Sequence, residues 1–194
     1  NKIMKLTVII PCYNEESTVK EIISLVKINI SKNDEIIIVD DASTDNTRNF
    51  IEELSHENEN ISPVFHKNNQ GKGASIRSGI QIARGDIVII QDADMEYDPA
   101  DYKKLIKPII EGRADVVYGS RFKSGDAARV LFYWHRMGNF LLTWLSNMFT
   151  NLNLTDMETC YKVFRKEILD QFTIEENRFG MEPEITAKIA RIRP

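Results

Sequence analysis

Short apolar runs and amphipathic stretches alternate along the first part of the chain. Residues 6–10, 35–39 and 87–90 are runs dominated by β-branched apolar side chains, the pattern of strands buried on both faces of a parallel sheet. The first run ends at Pro11, and Val19, Ile22, Ile23, Val26 and Ile30 then recur at helical spacing, with Asn14 or Ser17 as a cap. After the second run, Ser43, Thr44, Asp45, Asn46 and Thr47 predict a turn into a polar helix carrying Phe50, Ile51 and Leu54. Val64, Phe65 and His66 predict a short strand, and Ile76, Ile80 and Ala83 one face of a further helix. Asp98-Pro99 opens a helix through Leu105 and Ile109, in which Pro108 should kink or shorten the last turn. Residues 116–118 predict another strand. The order β-α-β-α-β-α-β-α-β argues a mostly parallel, doubly wound α/β sheet flanked by helices.

The second half reads differently. Residues 123–129 are polar, whereas residues 130–149 are rich in large apolar side chains. Met137, Leu141, Trp144, Leu145 and Met148 fall on one helical stripe that Phe140 and Phe149 widen. His135, Arg136 and Asn139 interrupt the segment too often for a membrane span. It should either pack on the sheet or lie in a membrane interface. Residues 161–165 predict a strand, 166–172 a short helix, and Glu182-Pro183-Glu184 the start of a terminal helix with Ile185, Ile189 and Ile192. Repeats and low-complexity segments are absent, so residues 1–194 read as one domain. The start at Asn1 and the stop at Pro194, just after a helical pattern, fit a fragment truncated at its C-terminus.

Composition narrows the function classes. Hydrophobic content of 42% and charged content of 28% are those of an ordinary soluble domain. A net charge of -4 argues against a general nucleic-acid binder. Cys12 and Cys160 form no CxxC pair and read as reduced, buried thiols of a cytoplasmic protein. His56, His66 and His135 lack metal-ligand spacing and suggest no role.

The candidate chemistry lies just after the strands. Asp92 and Asp94 follow residues 87–90 directly, and an extended chain there would put both carboxylates on one face. Asp-x-Asp is also a common solvated turn. At the carboxyl end of a buried parallel strand, however, the pair suits a divalent cation bridging to a polyanion. Asp40-Asp41 ends the second strand in the same way; it either reads a ligand N–H or begins an Asx turn. Gly71-Lys72-Gly73 could offer backbone amides and a cation to a phosphate, although it lacks P-loop spacing. Arg121 ends a strand on the same sheet edge and suits fork-like phosphate contacts. Arg136 breaks an apolar helix, where it snorkels to water or holds an anion.

Four segments in order carry a family likeness: Val8-Ile9-Ile10-Pro11-Cys12-Tyr13-Asn14-Glu15-Glu16, Ile37-Ile38-Val39-Asp40-Asp41-Ala42-Ser43, Gln91-Asp92-Ala93-Asp94 and Gly119-Ser120-Arg121. Together they resemble glycosyltransferase family 2, especially its dolichol-phosphate mannose and glucose synthases and bacterial polyisoprenyl-phosphate glycosyltransferases. The resemblance implies a GT-A (Rossmann-like) fold, a nucleotide-sugar donor (a UDP- or GDP-sugar), Mg²⁺ or Mn²⁺, and inversion at the anomeric carbon. It puts Pro11, Tyr13 and Glu15 in the loop that holds the nucleotide, and Val39 and Asp41 at the base. Asp92, Ala93 and Asp94 become the family's DXD, with Asp94 the better metal ligand. Glu96 stands where mannose synthases often have Gln, which adds charge to the metal site and leaves the sugar open.

The acceptor follows from the same likeness. A polyisoprenyl phosphate is already ionised near neutral pH and needs no strong base. The protein would then work at the cytoplasmic face of a membrane, peripheral or tethered. A sugar hydroxyl acceptor would need a base from Asp156 and Glu158 or from Glu182 and Glu184; the resemblance favours Asp156.

Overall fold

The computed structural model describes residues 4–119, 133–152, 154–155, 159, 161–178 and 180–192. The strands are β1 (Leu6–Cys12), β2 (Glu35–Asp40), β3 (Ile61–Phe65), β4 (Ile87–Ile90), β5 (Val116–Tyr118) and β6 (Lys162–Arg165). Around them stand α1 (Val19–Asn29), α2 (Thr47–Glu57), α3 (Lys72–Ile82), α4 (Tyr102–Ile110), α5 (Tyr133–Thr150), α6 (Lys166–Leu169) and α7 (Met181–Ile192). One sheet of order β3-β2-β1-β4-β6-β5 forms the centre. The β1, β2 and β4 side chains are buried on both faces, as their unbroken apolar runs require.

β1, β2, β3 and β4 are parallel, while β6 is antiparallel to both β4 and β5. β5 therefore points the same way as β4 but is separated from it by the return strand. The chain leaves β1 toward β2 on one side and later comes back to β4 on the other. Strand order reverses at β1 and β4, and in open α/β sheets the crevice at such a point is where ligands bind.

The strand expected at residues 64–66 is Ile61–Phe65 and the helix expected at 166–172 ends at Leu169, and two further differences bear on the site. Pro11 does not end the first strand, because β1 continues beside β2 to Cys12, whose carbonyl accepts from Asp41 N. On the β4 side the last rung is Gln91 N to Ile9 O; Pro11 has no N–H to extend that ladder, so the β1 and β4 ends part there. The α1 cap is Thr18, neither Asn14 nor Ser17. Asn14 instead sits at positive φ, and its side-chain oxygen accepts from Thr44 N.

Helix α5 turns its stripe outward. Met137, Leu141, Trp144 and Met148 are exposed, together with Phe140 at 68% and Phe149 at 81%; Leu145 is half-buried, and among the described side chains of this helix Thr143 is the buried one. Its inner side carries Asn147, which holds Leu154 through both N–H and C=O. Four of the five predicted stripe residues therefore face outward rather than cover the sheet.

Candidate active site

Three strand ends converge on one cavity of roughly 440 Å³, within the range of small-ligand sites. Pro11, Cys12, Tyr13 and Glu15 line it after β1, Asp41 after β2, and Asp92, Ala93 and Asp94 after β4; Asn69, Gly71, Lys72, Ser75 and Arg178 complete the wall. Sequence-selected residues from four separate segments thus share one site. Val39 is fully buried in the core and Glu96 is exposed, and neither is among the lining residues. Arg121 and Asp156 lie outside the described residues, as does Glu158. Arg136 falls in the first turn of α5, and its side chain is outside them too.

The loop after β1 is held by the turn after β2. Asn14 N donates to Ser43 Oγ at 2.9 Å, Glu15 N to the buried Thr47 Oγ1 at 2.7 Å, and Glu16 N to Asp45 Oδ2 at 3.2 Å. Asn46 N returns a bond to Glu16 Oε2 at 2.9 Å. The polar cluster at residues 43–47 therefore orients Tyr13 and Glu15 as well as starting α2. Burial, reinforced by the Asp94 and Asp92 carboxylates, pushes the Glu15 carboxyl up, while a bond from Thr18 opposes the rise.

Asp40 and Asp41 sit in different surroundings. Asp40 accepts from Ser43 N, three residues on, at 3.3 Å, and its other oxygen is buried without a partner. Asp41 is nearly fully buried yet reaches the cavity wall. Its carboxylate accepts from Gln70 N at 2.9 Å, from Gly71 N at 2.6 Å, and faces His66 Nδ1 at 2.7 Å. The Gln70 and Gly71 amides are thus committed to Asp41 rather than offered to a phosphate. His66, given no role by its spacing, is the side chain that orients Asp41, and its Nε2 meets Ser78 Oγ at 2.9 Å.

Asp92 and Asp94 reach the cavity by a route other than strand alternation. β4 ends at Ile90, and residues 93–95 form a turn with Met95 at positive φ. The turn is clamped from below by Gln91, which is fully buried and uses its whole amide. Its Nε2 donates to Asp92 O at 3.0 Å and Tyr97 O at 3.2 Å, and its Oε1 accepts from Tyr102 at 2.8 Å and Tyr161 at 2.9 Å. Above, Lys72 Nζ lies 2.7 and 2.8 Å from the two Asp92 oxygens. Glu96 contributes its N–H to Asp94 Oδ1 at 3.0 Å.

The donor set suits a hard divalent cation. Asp92 and Asp94 offer oxygen ligands in one cavity, and Mg²⁺ or Mn²⁺ typically takes one or two carboxylates and completes its shell with phosphate oxygens and water. Among the described residues no group of three His, Cys, Asp or Glu could hold a metal by itself. A metal here would be shared with its ligand, with Asp92 and Asp94 as the protein's contribution.

Among the bases named for a hydroxyl acceptor, Glu184 is committed elsewhere, accepting from Glu175 N and Glu176 N at 2.8 Å each. Glu182 is buried, and burial pushes its carboxyl up against the pull of Lys162 and Lys72.

Comparison with known proteins bears on the family and the fold. The chain is 30% identical over 176 residues to the UDP-N-acetylglucosamine–dolichyl-phosphate N-acetylglucosaminyltransferase of Methanococcus voltae, covering 83% of this chain and 69% of that protein. It is 27% identical over 190 residues to the undecaprenyl-phosphate 4-deoxy-4-formamido-L-arabinose transferase of Aeromonas hydrophila, covering 96% of this chain and 56% of that one. The chain thus spans little more than half of that second relative. Glucosyl-3-phosphoglycerate synthase from Mycobacterium tuberculosis, solved with Mn²⁺, UDP and phosphoglyceric acid, superposes with a TM-score of 0.75 at 19% identity. That match covers 97% of this chain and 65% of the synthase, and it supports the GT-A fold. The glycosyl transferase family 2 model matches residues 7–173, and the chain belongs to that family.

Proposed function

We propose that this chain is the catalytic domain of a metal-dependent, inverting glycosyltransferase that moves a sugar from a UDP-sugar to a polyisoprenyl phosphate at a membrane surface. The observation that carries the reading is the convergence of Asp92 and Asp94 with Asp41 and Tyr13 on one cavity at the strand-order reversal. UDP is chosen over GDP because the Methanococcus relative is named for a UDP-sugar and the Mycobacterium synthase was solved with UDP. Asp41 and Tyr13 would hold the nucleoside, and Asp92 and Asp94 the cation. When bound, Mg²⁺ or Mn²⁺ supplies positive charge to the leaving diphosphate. Lys72, seated on Asp92, adds a second positive charge beside it. The bond from the anomeric carbon to the diphosphate oxygen breaks, and its electron pair leaves with UDP. A phosphate oxygen of the acceptor forms the new bond from the opposite face.

The lipid acceptor is supported by two observations. Both named relatives act on a polyprenyl phosphate by their names. The apolar face of α5 points outward, which suits a helix lying at a bilayer surface near the acceptor's isoprene units. Among the described residues no helix is long and apolar enough to cross a membrane, so contact would be peripheral or through further chain. The cytoplasmic face is part of the same proposal.

The test is transfer of radiolabelled sugar to undecaprenyl phosphate from a panel of UDP- and GDP-sugars, with Mn²⁺, Mg²⁺ or chelator. Asp94→Ala should fold normally and lose at least about a hundredfold in turnover, on the order of 2.7 kcal/mol of transition-state stabilisation. Activity of that variant within tenfold of the parent would sink the metal assignment. Preference for a water-soluble saccharide would replace the lipid acceptor by a hydroxyl one, with buried Glu182 as the described candidate base.

A further inference from the structure

The Gly71-Lys72-Gly73 loop is covered from outside by a strap, residues 173–178. A Cβ on Gly73 would lie 2.1 Å from Glu176 O, and one on Gly71 would lie 2.5 Å from Asn177 O and 2.7 Å from Arg178 Cγ. Only glycine admits so close an approach, so these two glycines serve the strap rather than a phosphate cradle. Asn177 O also accepts from Ala74 N at 3.2 Å.

The strap has no helix or strand, yet side chains pin it along its length. Arg77 from α3 donates to Ile174 O at 2.9 Å and to Asn177 Oδ1 at 2.8 Å. Glu184 from α7 accepts from the N–H groups of Glu175 and Glu176 at 2.8 Å each. Lys188 donates to Thr173 O at 2.6 Å and pairs with Glu175 at 3.0 Å. These bonds immobilise the backbone up to Asn177, and the next residue, Arg178, lines the cavity.

Arg178 is exposed, and its guanidinium has no hydrogen bond or ion pair with any described residue. It and Lys72 are the cations among the cavity's lining residues, which include four carboxylates, Glu15, Asp41, Asp92 and Asp94. Lys72 is engaged with Asp92. A cationic side chain that lines an acidic cavity, on a backbone fixed by three charged side chains, is within reach of an anion that arrives with the ligand. Its fork geometry favours phosphate oxygens.

We propose that Arg178 binds a phosphate oxygen of the reacting ligands, and that Arg77, Glu184 and Lys188 are the positioning residues that aim it. This rests on the nucleotide-sugar reading above. The phosphate has two sources, the β-phosphate of the donor or the phosphate of the lipid acceptor.

Calorimetry of UDP and UMP with Mn²⁺, together with acceptor kinetics, separates them. If Arg178 holds the β-phosphate, Arg178→Ala weakens UDP at least about tenfold and leaves UMP within about threefold. If it holds the acceptor, UDP binding is unchanged and the KM for undecaprenyl phosphate rises at least about tenfold at saturating donor. Arg77→Ala should reproduce the same pattern more weakly, with faster hydrogen exchange across residues 173–178 and an unchanged core. Arg178→Ala with UDP affinity and acceptor KM both within twofold of the parent overturns the proposal while leaving the function standing. A parent protein that binds no UDP with Mn²⁺ overturns the nucleotide-sugar reading itself, and this inference with it.

Discussion

His66 Nδ1 lies 2.7 Å from Asp41 Oδ1, and this buried pair joins β3 to the residue proposed to meet the nucleotide base. The same carboxylate holds the amides of Gln70 and Gly71, so one ion orients both the base contact and the loop that carries Lys72. His66→Phe removes two bonds and leaves Ser78 and part of Asp41 unsatisfied. A buried polar group left without its partner costs about 1–3 kcal/mol, and a lower melting temperature should show it. UDP affinity should fall severalfold, since Asp41 and the loop lose a common anchor. His66→Asn, which keeps a donor near the Nδ1 position, should recover part of both. A His66→Phe protein with parental melting and parental UDP affinity would remove this pair from the site.

Gln91 and Tyr161 form the second relationship that the site depends on. Gln91 makes four bonds with no exposure to water, two to tyrosine hydroxyls and two to the carbonyls of Asp92 and Tyr97. Gln91→Leu is close in size but strands all four groups, and a loss of at least about 3 kcal/mol is expected from chemical denaturation. Mn²⁺-dependent UDP binding should fall further than stability alone explains, because the turn bearing Asp92 and Asp94 loses its floor. Equal denaturation midpoints for parent and variant would show that the clamp is not needed.

The strap carries its own pH dependence. Burial works to raise the Glu184 carboxyl, but the Lys188 ammonium and the N–H groups of Glu175 and Glu176 outweigh it and hold the carboxyl below its ordinary value of 4.5. A carboxyl depressed in the folded state adds stability that is full above that ordinary value and is lost as pH falls through the folded one. Hydrogen exchange across residues 173–178 should therefore accelerate as pH drops below about 4.5, after correction for intrinsic rates. Glu184→Gln should show looser strap amides at neutral pH and converge with the parent in acid. A parent-to-variant difference that stays constant from pH 7 to pH 3 would contradict the assignment.

Much of this arrangement is legible in the sequence, because the signals involved are local. Residues 35–39 and 87–90 announce buried strands by composition, and strand ends of a doubly wound sheet bring Tyr13, Asp41 and Asp94 together without further information. What is lost is whatever depends on distant partners. The period-of-two argument fails at Asp92 because Gln91 bends the chain there, using tyrosines 11 and 70 residues away. His66 pairs across 25 residues, and Arg178 reaches its cavity through contacts about a hundred residues apart in sequence. No spacing rule encodes those. The interposed strand β6 was readable as a strand, but its direction was not, since pairing with β4 is set by the whole return path.

The α5 face is the case where periodicity finds a stripe and leaves its side undetermined. A helix whose apolar residues cover a sheet and one whose apolar residues meet a membrane share the same 3.6-residue pattern. Here Thr143 is inside and Phe140, Trp144 and Phe149 are outside, at 68%, 52% and 81% exposure. Several large apolar side chains exposed along one helix are the kind of surface that marks an interaction site. Full burial of each large side chain in an acyl boundary would contribute at most on the order of 2 kcal/mol, so three together would give a weak, reversible attachment that removal of two should break. Phe140→Ser with Trp144→Ser should abolish co-sedimentation with liposomes containing undecaprenyl phosphate. It should leave UDP binding unchanged, because neither residue lines the cavity. Transfer to a water-soluble, short-chain polyprenyl phosphate should persist, while transfer to the long-chain acceptor in vesicles falls at least about tenfold. Liposome binding that survives both substitutions would assign the face to protein contact, either with further chain or with a second copy.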